Sequence, residues 1–244
     1  MALLFRDDAY QRACHAKVTG MTEAGGIILD QTVFYGTSGG QPGDTGTMTL
    51  GNGLVVPIIG TITGETKEQI IHLPEFESPL PKIGETVQLE LNWERRFKLM
   101  QMHTACHLLS VVCPFPITGA AVAEEDSRVD FDLPDPRYTR EFVTEALQRL
   151  VAENHPVTLQ WIEESELDTN PGIVKSKNVR PPRGMGRLRL VVIGENGSVD
   201  SQPCGGTHVL RTGEIGPIHI AKIEKKGREN RRFRIRFGAT PEGR

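Results

Sequence analysis

Up to about residue 90 the apolar positions come in short runs broken by glycine and proline. The segments Gly26-Ile27-Ile28-Leu29-Asp30, Leu54 to Ile62, Gln69 to Leu73 and Thr86 to Leu91 read as β-strands. Pro42, Pro57, Pro74, Pro79 and Pro81 leave no room for a long helix, so a small antiparallel barrel or sandwich is expected. The texture changes at Asn92. This residue can cap a helix whose first turn holds Glu94. Trp93, Phe97, Met100, Leu108 and Val112 then recur at helical spacing until Pro114 and Pro116 close the segment. Further on, Thr118 to Val122 and Ser127 to Leu133 read as paired strands. Thr139 can cap a second helix with Phe142, Leu147, Leu150 and Val151 on its apolar side, and Glu163 to Leu167 reads as a short helix. Val157 to Ile162, Arg187 to Ile193, Gly216 to Ile223 and Arg231 to Phe237 complete a mostly antiparallel sheet. Strands and helices in blocks predict an α+β chain with two domains, 1–90 and 91–244.

Composition narrows the class. The 244 residues are 38% hydrophobic and 24% charged, as expected of a soluble globular protein. The opening residues acquire charge too early for a signal peptide, and no apolar run approaches transmembrane length. Four cysteines in a chain this long argue against a disulfide framework, so a cytoplasmic location is expected. The net charge of −3 hides two basic stretches. Lys175, Lys177, Arg180, Arg183, Arg187 and Arg189 occur with no acid among them. Lys222, Lys225, Lys226, Arg228, Arg231, Arg232, Arg234 and Arg236 follow, diluted only by Glu224 and Glu229. These are either ordinary solvated faces or a surface for a polyanion such as RNA.

Candidate chemistry comes from two residue pairs of identical spacing. His103 and His107 stand four apart on the predicted helix and share one face. Cys204-Gly205-Gly206-Thr207-His208 supplies one thiolate and a third imidazole. Such nitrogen and sulfur donors suit zinc rather than calcium or magnesium; for either pair alone, buried core residues are an equal reading. Four protein donors make a closed tetrahedron, whereas catalytic zinc keeps one position open. The residues between the histidines, Thr104-Ala105-Cys106, include no glutamate to serve as a base. Cys106 is expected to be a packed core cysteine.

The segment from Thr32 to Gly46 holds five glycines between Gly36 and Gly46. It lacks the spacing of a P-loop or dinucleotide fingerprint. Taken by itself it reads as a tight hairpin corner, or as a cradle of N–H groups for anionic or carbonyl oxygens.

Taken in order, Thr32 to Gly46, Trp93-Glu94-Arg95-Arg96 to Leu109, Cys204-Gly205-Gly206-Thr207-His208-Val209 and Lys226-Gly227-Arg228 to Arg232 resemble the AlaX family, free-standing relatives of the alanyl-tRNA synthetase editing domain. The resemblance spans roughly residues 25 to 238. It implies a small N-terminal β-barrel joined to an α/β editing domain. It also implies hydrolysis of mischarged tRNA(Ala), chiefly the seryl and sometimes the glycyl ester, with alanyl-tRNA(Ala) spared. The partner would be the acceptor end of that tRNA, and no membrane is involved. Zinc on His103, His107, Cys204 and His208 would polarise the ester carbonyl, activate water or position the substrate amine. Thr32 and Gln41, with Gly39 and Gly40, match the segment associated with recognising the serine side chain. A site that hydrogen-bonds a hydroxyl can reject the analogue lacking it. Here Gly36-Thr37-Ser38 stands where many relatives carry proline or acidic residues, which leaves serine-versus-glycine tolerance open. Two other readings compete: a non-catalytic, zinc-stapled tRNA-binding module, and a zinc hydrolase for another ester or amide.

Overall fold

The computed structural model describes all residues except Lys67, Asp135, Pro136, Asn170, 179–183, Met185 and 241–244. Eight strands come first: β1 (Ala2–Leu3), β2 (Ala13–Met21), β3 (Ile27–Leu29), β4 (Gln31–Thr32), β5 (Gly46–Thr49), β6 (Val55–Thr63), β7 (Ile70–Pro74) and β8 (Thr86–Leu91). Six of them close a barrel in the order β2-β3-β7-β6-β5-β8, all pairings antiparallel, with β8 pairing back to β2. Burial alternates strictly along β8, and Val87 and Leu89 point inward to meet Val18, Leu29, Met48, Val56, Ile58 and Phe34. Each such side chain removed from water contributes about 1.5–3 kcal/mol before entropy is counted. Strand β2 has no hydrophobic signature, because its inward positions include the small Ala16 and its outward ones mix the polar His15, Lys17 and Thr19 with Ala13 and Met21.

Two glycines are required by close approach in this barrel. A Cβ on Gly43 would lie 1.8 Å from the Thr61 carbonyl oxygen, and one on Gly46 would lie 2.1 Å from that of Glu90.

Helix α1 (Trp93–Val112) starts where Asn92 Oδ1 accepts the Arg95 N–H at 3.2 Å. Its periodicity suggested a single apolar stripe, but every residue from Met102 to Ser110 is buried. Polar residues in that stretch must therefore find internal partners.

Strands β9 (Ile117–Ala121) and β10 (Asp126–Asp132), helix α2 (Arg140–Ala152), β11 (Val157–Glu163), α3 (Glu166–Thr169), β12 (Arg187–Ile193), β13 (Asp200–Pro203), β14 (Ile218–Lys225) and β15 (Asn230–Phe237) follow. The antiparallel strands form two sheets, β14-β15-β10-β9 and β11-β12-β13. Thr139 caps α2 by accepting the Phe142 N–H, and Val143, Leu147 and Val151 form its buried face. Phe142, expected on that face, is instead half exposed and stacks edge-on against Tyr138. By packing, the chain divides into two compact units, Met1–Leu99 and Met100–Arg244. Among the described residues, no helix is long and apolar enough to cross a membrane.

Candidate metal centre

Helical geometry brings His103 and His107 to one face of α1, one turn apart. The other two candidates sit in the loop after β13. Arg189 of β12 shapes this loop, donating from its guanidinium to the carbonyls of Cys204 and Gly206, while Cys204 N–H returns to the Arg189 carbonyl at 3.1 Å. The result is a quartet in which one ligating atom each of His103, His107, Cys204 and His208 lies within 4.8 Å of all the others. The three histidines are buried and the cysteine is partly so. Cys204 Sγ lies 3.5 Å from His103 Nε2 and 3.4 Å from His208 Nε2. This cluster can hold a metal ion.

Surrounding groups decide which ring nitrogens face inward. The Thr104 hydroxyl donates to the Met100 carbonyl at 2.9 Å, so its oxygen accepts from His208 Nδ1 at 3.1 Å. His107 Nδ1 lies 3.1 Å from Asp200 Oδ2. Both rings thereby direct Nε2 into the cluster, where a neutral imidazole ligates.

The electrostatics favour ligating forms at two positions. Burial alone would raise the Cys204 thiol, but the imidazoles of His103 and His208 hold it well below its ordinary value. Burial, with neighbouring His103, lowers His208 to about 3. His107 is opposed by burial yet rises to about 9 through its bonds to Asp200 and Cys204. A cation entering the cluster therefore competes with a proton there. Cys106 is buried, and burial together with the Cys204 charge pushes its thiol to about 12, as suits an inert core cysteine.

The glycine-rich residues lie in the barrel unit. Ser38 and Gln41 exchange both backbone hydrogen bonds, at 3.1 and 2.9 Å, around a two-residue turn. Gly39 and Gly40 occupy its centre with φ of 55° and 83°, a turn that requires positive φ at both places. Both glycines are exposed, whereas Thr32 and Gln41 are buried. The Thr37 hydroxyl is already engaged, donating to the Thr61 carbonyl of β6 and accepting the Gly43 N–H.

The basic stretches look different once folded. Arg180 and Arg183 lie outside the described residues. Lys175 reaches Asp200, Lys177 reaches Asp132 and Arg187 reaches Glu163, while Arg189 is buried behind the Cys204 loop. Arg232 pairs with Asp130, Arg234 with Asp126 and Glu224, and Arg236 with Asp126. Much of this charge is thus balanced internally by acids distant in sequence. Sequence reasoning missed Asp200, Thr104 and the site role of Arg189. The nearest signal was Asp200 and Gln202 alternating on a strand that runs directly into Cys204.

Comparisons with known proteins place the chain among its relatives. Residues 188–234 match the family described as threonyl and alanyl tRNA synthetase second additional domain, and residues 6–95 match tRNA synthetases class II (A). An alanyl-tRNA editing protein AlaX-M of Methanosarcina mazei is 34% identical over 93% of this chain and 92% of its own length. The AlaX-M protein of Methanosarcina acetivorans is 32% identical over 95% and 96%. An alanine–tRNA ligase of Pyrobaculum calidifontis is 35% identical over 91% of this chain but only 25% of its own length. With the barrel, the antiparallel sheets and the four-residue centre in place, this chain belongs to the AlaX family of alanyl-tRNA editing proteins.

Proposed function

We propose that the chain is a cytosolic, free-standing deacylase that removes serine, and also glycine, from mischarged tRNA(Ala) while leaving alanyl-tRNA(Ala) intact. We further propose that zinc is the ion held by His103, His107, Cys204 and His208. The observation that carries the reading is the convergence of these four side chains in a chain similar along its length to alanyl-tRNA editing proteins. Three imidazoles and a thiolate are a zinc donor set, and bonds of about 2.3 Å to sulfur and 2.0 Å to nitrogen separate those donors by about 3.5 Å in a tetrahedron. The two Sγ–Nε2 separations of 3.5 and 3.4 Å fit that figure.

Zinc bound here would supply Lewis acidity toward the ester or the amine of the acylated adenosine. The protein's own contribution is orientation: Thr104 aims Nε2 of His208, and Arg189 holds the cysteine loop. Discrimination is assigned to Thr32 and Gln41, with the Gly39–Gly40 turn beside Gln41 offering backbone N–H groups. After its internal bonds Thr32 Oγ1 retains one lone pair. A seryl hydroxyl can donate to it and an alanyl methyl cannot. Because Thr32 is enclosed, this reading requires its covering segment to open as the acyl group enters.

The closed donor set favours a second reading, a zinc-stapled module that binds tRNA without turnover. Incubation with seryl-, glycyl- and alanyl-tRNA(Ala) separates the two. Release of serine and glycine but not alanine supports the deacylase. Tight binding with every ester intact supports the module. No effect on any tRNA defeats both.

A further inference from the structure

We infer that Asp200, anchored by Lys175, is the positioning residue of the metal centre, setting the ring of His107 so that Nε2 faces the cation. The inference rests on the proposal that the quartet binds a cation, and it adds two residues to that site.

Asp200 lies on β13, four residues before Cys204, and its side chain is 1% exposed. A buried carboxylate without partners would be expensive, and this one is fully engaged. Oδ2 receives His107 Nδ1 at 3.1 Å and Gln202 Nε2 at 2.7 Å, while Oδ1 receives Lys175 Nζ at 2.6 Å. Lys175 Nζ also reaches the Ser110 hydroxyl at 3.3 Å, and Gln202 Nε2 donates to the same hydroxyl at 2.8 Å. The two carboxylate oxygens therefore have separate duties, one toward the histidine and one toward the lysine. A carboxylate only accepts, so the facing ring nitrogen must carry hydrogen, and the opposite nitrogen is left to ligate. Lys175 keeps the carboxylate from rotating away. It also supplies a positive charge that offsets the buried negative one without contacting the cluster.

The geometry makes asparagine a poor replacement. With its oxygen toward His107, its NH2 group would face the Lys175 ammonium, donor against donor. Turned the other way, it would present NH2 to Nδ1–H.

The experiment measures zinc affinity of the full chain by competition with a chelator, together with the thermal midpoint of the metal-free protein. Asp200→Asn is expected to weaken zinc binding roughly 10- to 100-fold, the usual loss for a partner of a ligating histidine. Lys175→Met alters a side chain that is 27% exposed. It is expected to weaken binding in the same direction by up to about 10-fold. Parent-like zinc affinity in a folded Asp200→Asn protein overturns the inference, even if its thermal midpoint falls, because a merely structural role predicts that outcome. Should Asp200→Asn fail to fold, Lys175→Met decides: reduced affinity supports the inference and unchanged affinity overturns it. If the parent protein itself binds no zinc, the metal reading of the quartet fails, which is a distinguishable result.

Discussion

The Thr32 hydroxyl donates its proton to Nε2 of His72, at 2.8 Å. The direction is fixed from the far side of the ring, where Nδ1 lies 3.2 Å from the Ile27 carbonyl, an acceptor only. Nδ1 must carry the hydrogen, leaving Nε2 to accept. Thr32 Oγ1 in turn accepts the Phe34 N–H at 3.0 Å. Thr32→Val removes the hydroxyl while nearly conserving volume, and leaves a buried imidazole nitrogen and a backbone N–H unpaired. The expected cost is about 1–3 kcal/mol, read by denaturant unfolding. In deacylation assays the same variant should lose serine removal more than glycine removal. Equal loss on both esters would mean that Thr32 acts only through stability.

The same pair gives the fold a pH dependence. Burial lowers His72 to about 4, from an ordinary value of 6.5. Between those values the unfolded chain binds more protons than the folded one, so stability falls as pH drops through that window and levels off below it. The full difference corresponds to about 3 kcal/mol. Urea unfolding of the parent and of His72→Gln at pH 7, 5.5 and 4.5 checks this. The variant should start less stable but decline less steeply, and parallel declines would assign the acid sensitivity to other groups.

Cys204→Ala should reduce bound zinc from about one ion per chain to well below it, and deacylation should fall with it. Elemental analysis of the purified variant is the check. Full zinc content would remove Cys204 from the ligand set.

Arg96 and Asp44 form an ion pair that is shut away from water, with side-chain exposures of 0% and 1%. The guanidinium also donates to the carbonyls of Ala9 and Val33, and Asp44 accepts the Tyr35 N–H. Either Arg96→Met or Asp44→Asn strands the partner charge, at an expected cost of about 3–5 kcal/mol. The double variant should lose clearly less than the sum of the two, and additive losses in unfolding experiments would show that the pair is not coupled.

Local physics explains what could be read along the chain. Helix α1 announced itself through Asn92, Glu94 and the closing prolines, and a helix alone fixes that His103 and His107 share a face. Gly39 and Gly40 declared a tight turn because few other residues adopt positive φ at two successive positions. The alternation in β8 marked a half-buried strand. In each case the determining forces act over a few residues, so sequence spacing carries them.

Tertiary packing decided the rest. Nothing near Arg96 marks it as buried, because its partner Asp44 is 52 residues away. Lys175 reads as one more cation for a polyanion until folding sets it against Asp200. Arg189 reads likewise until the β12–β13 pairing brings the Cys204 loop within its reach. Charge and hydrogen-bonding capacity are written in the residue type, but the partner is chosen by which strands lie side by side. By itself the sequence determined which atoms could bind a metal and where the chain could turn. Only the fold determined which of those atoms meet and which buried groups hold them in position.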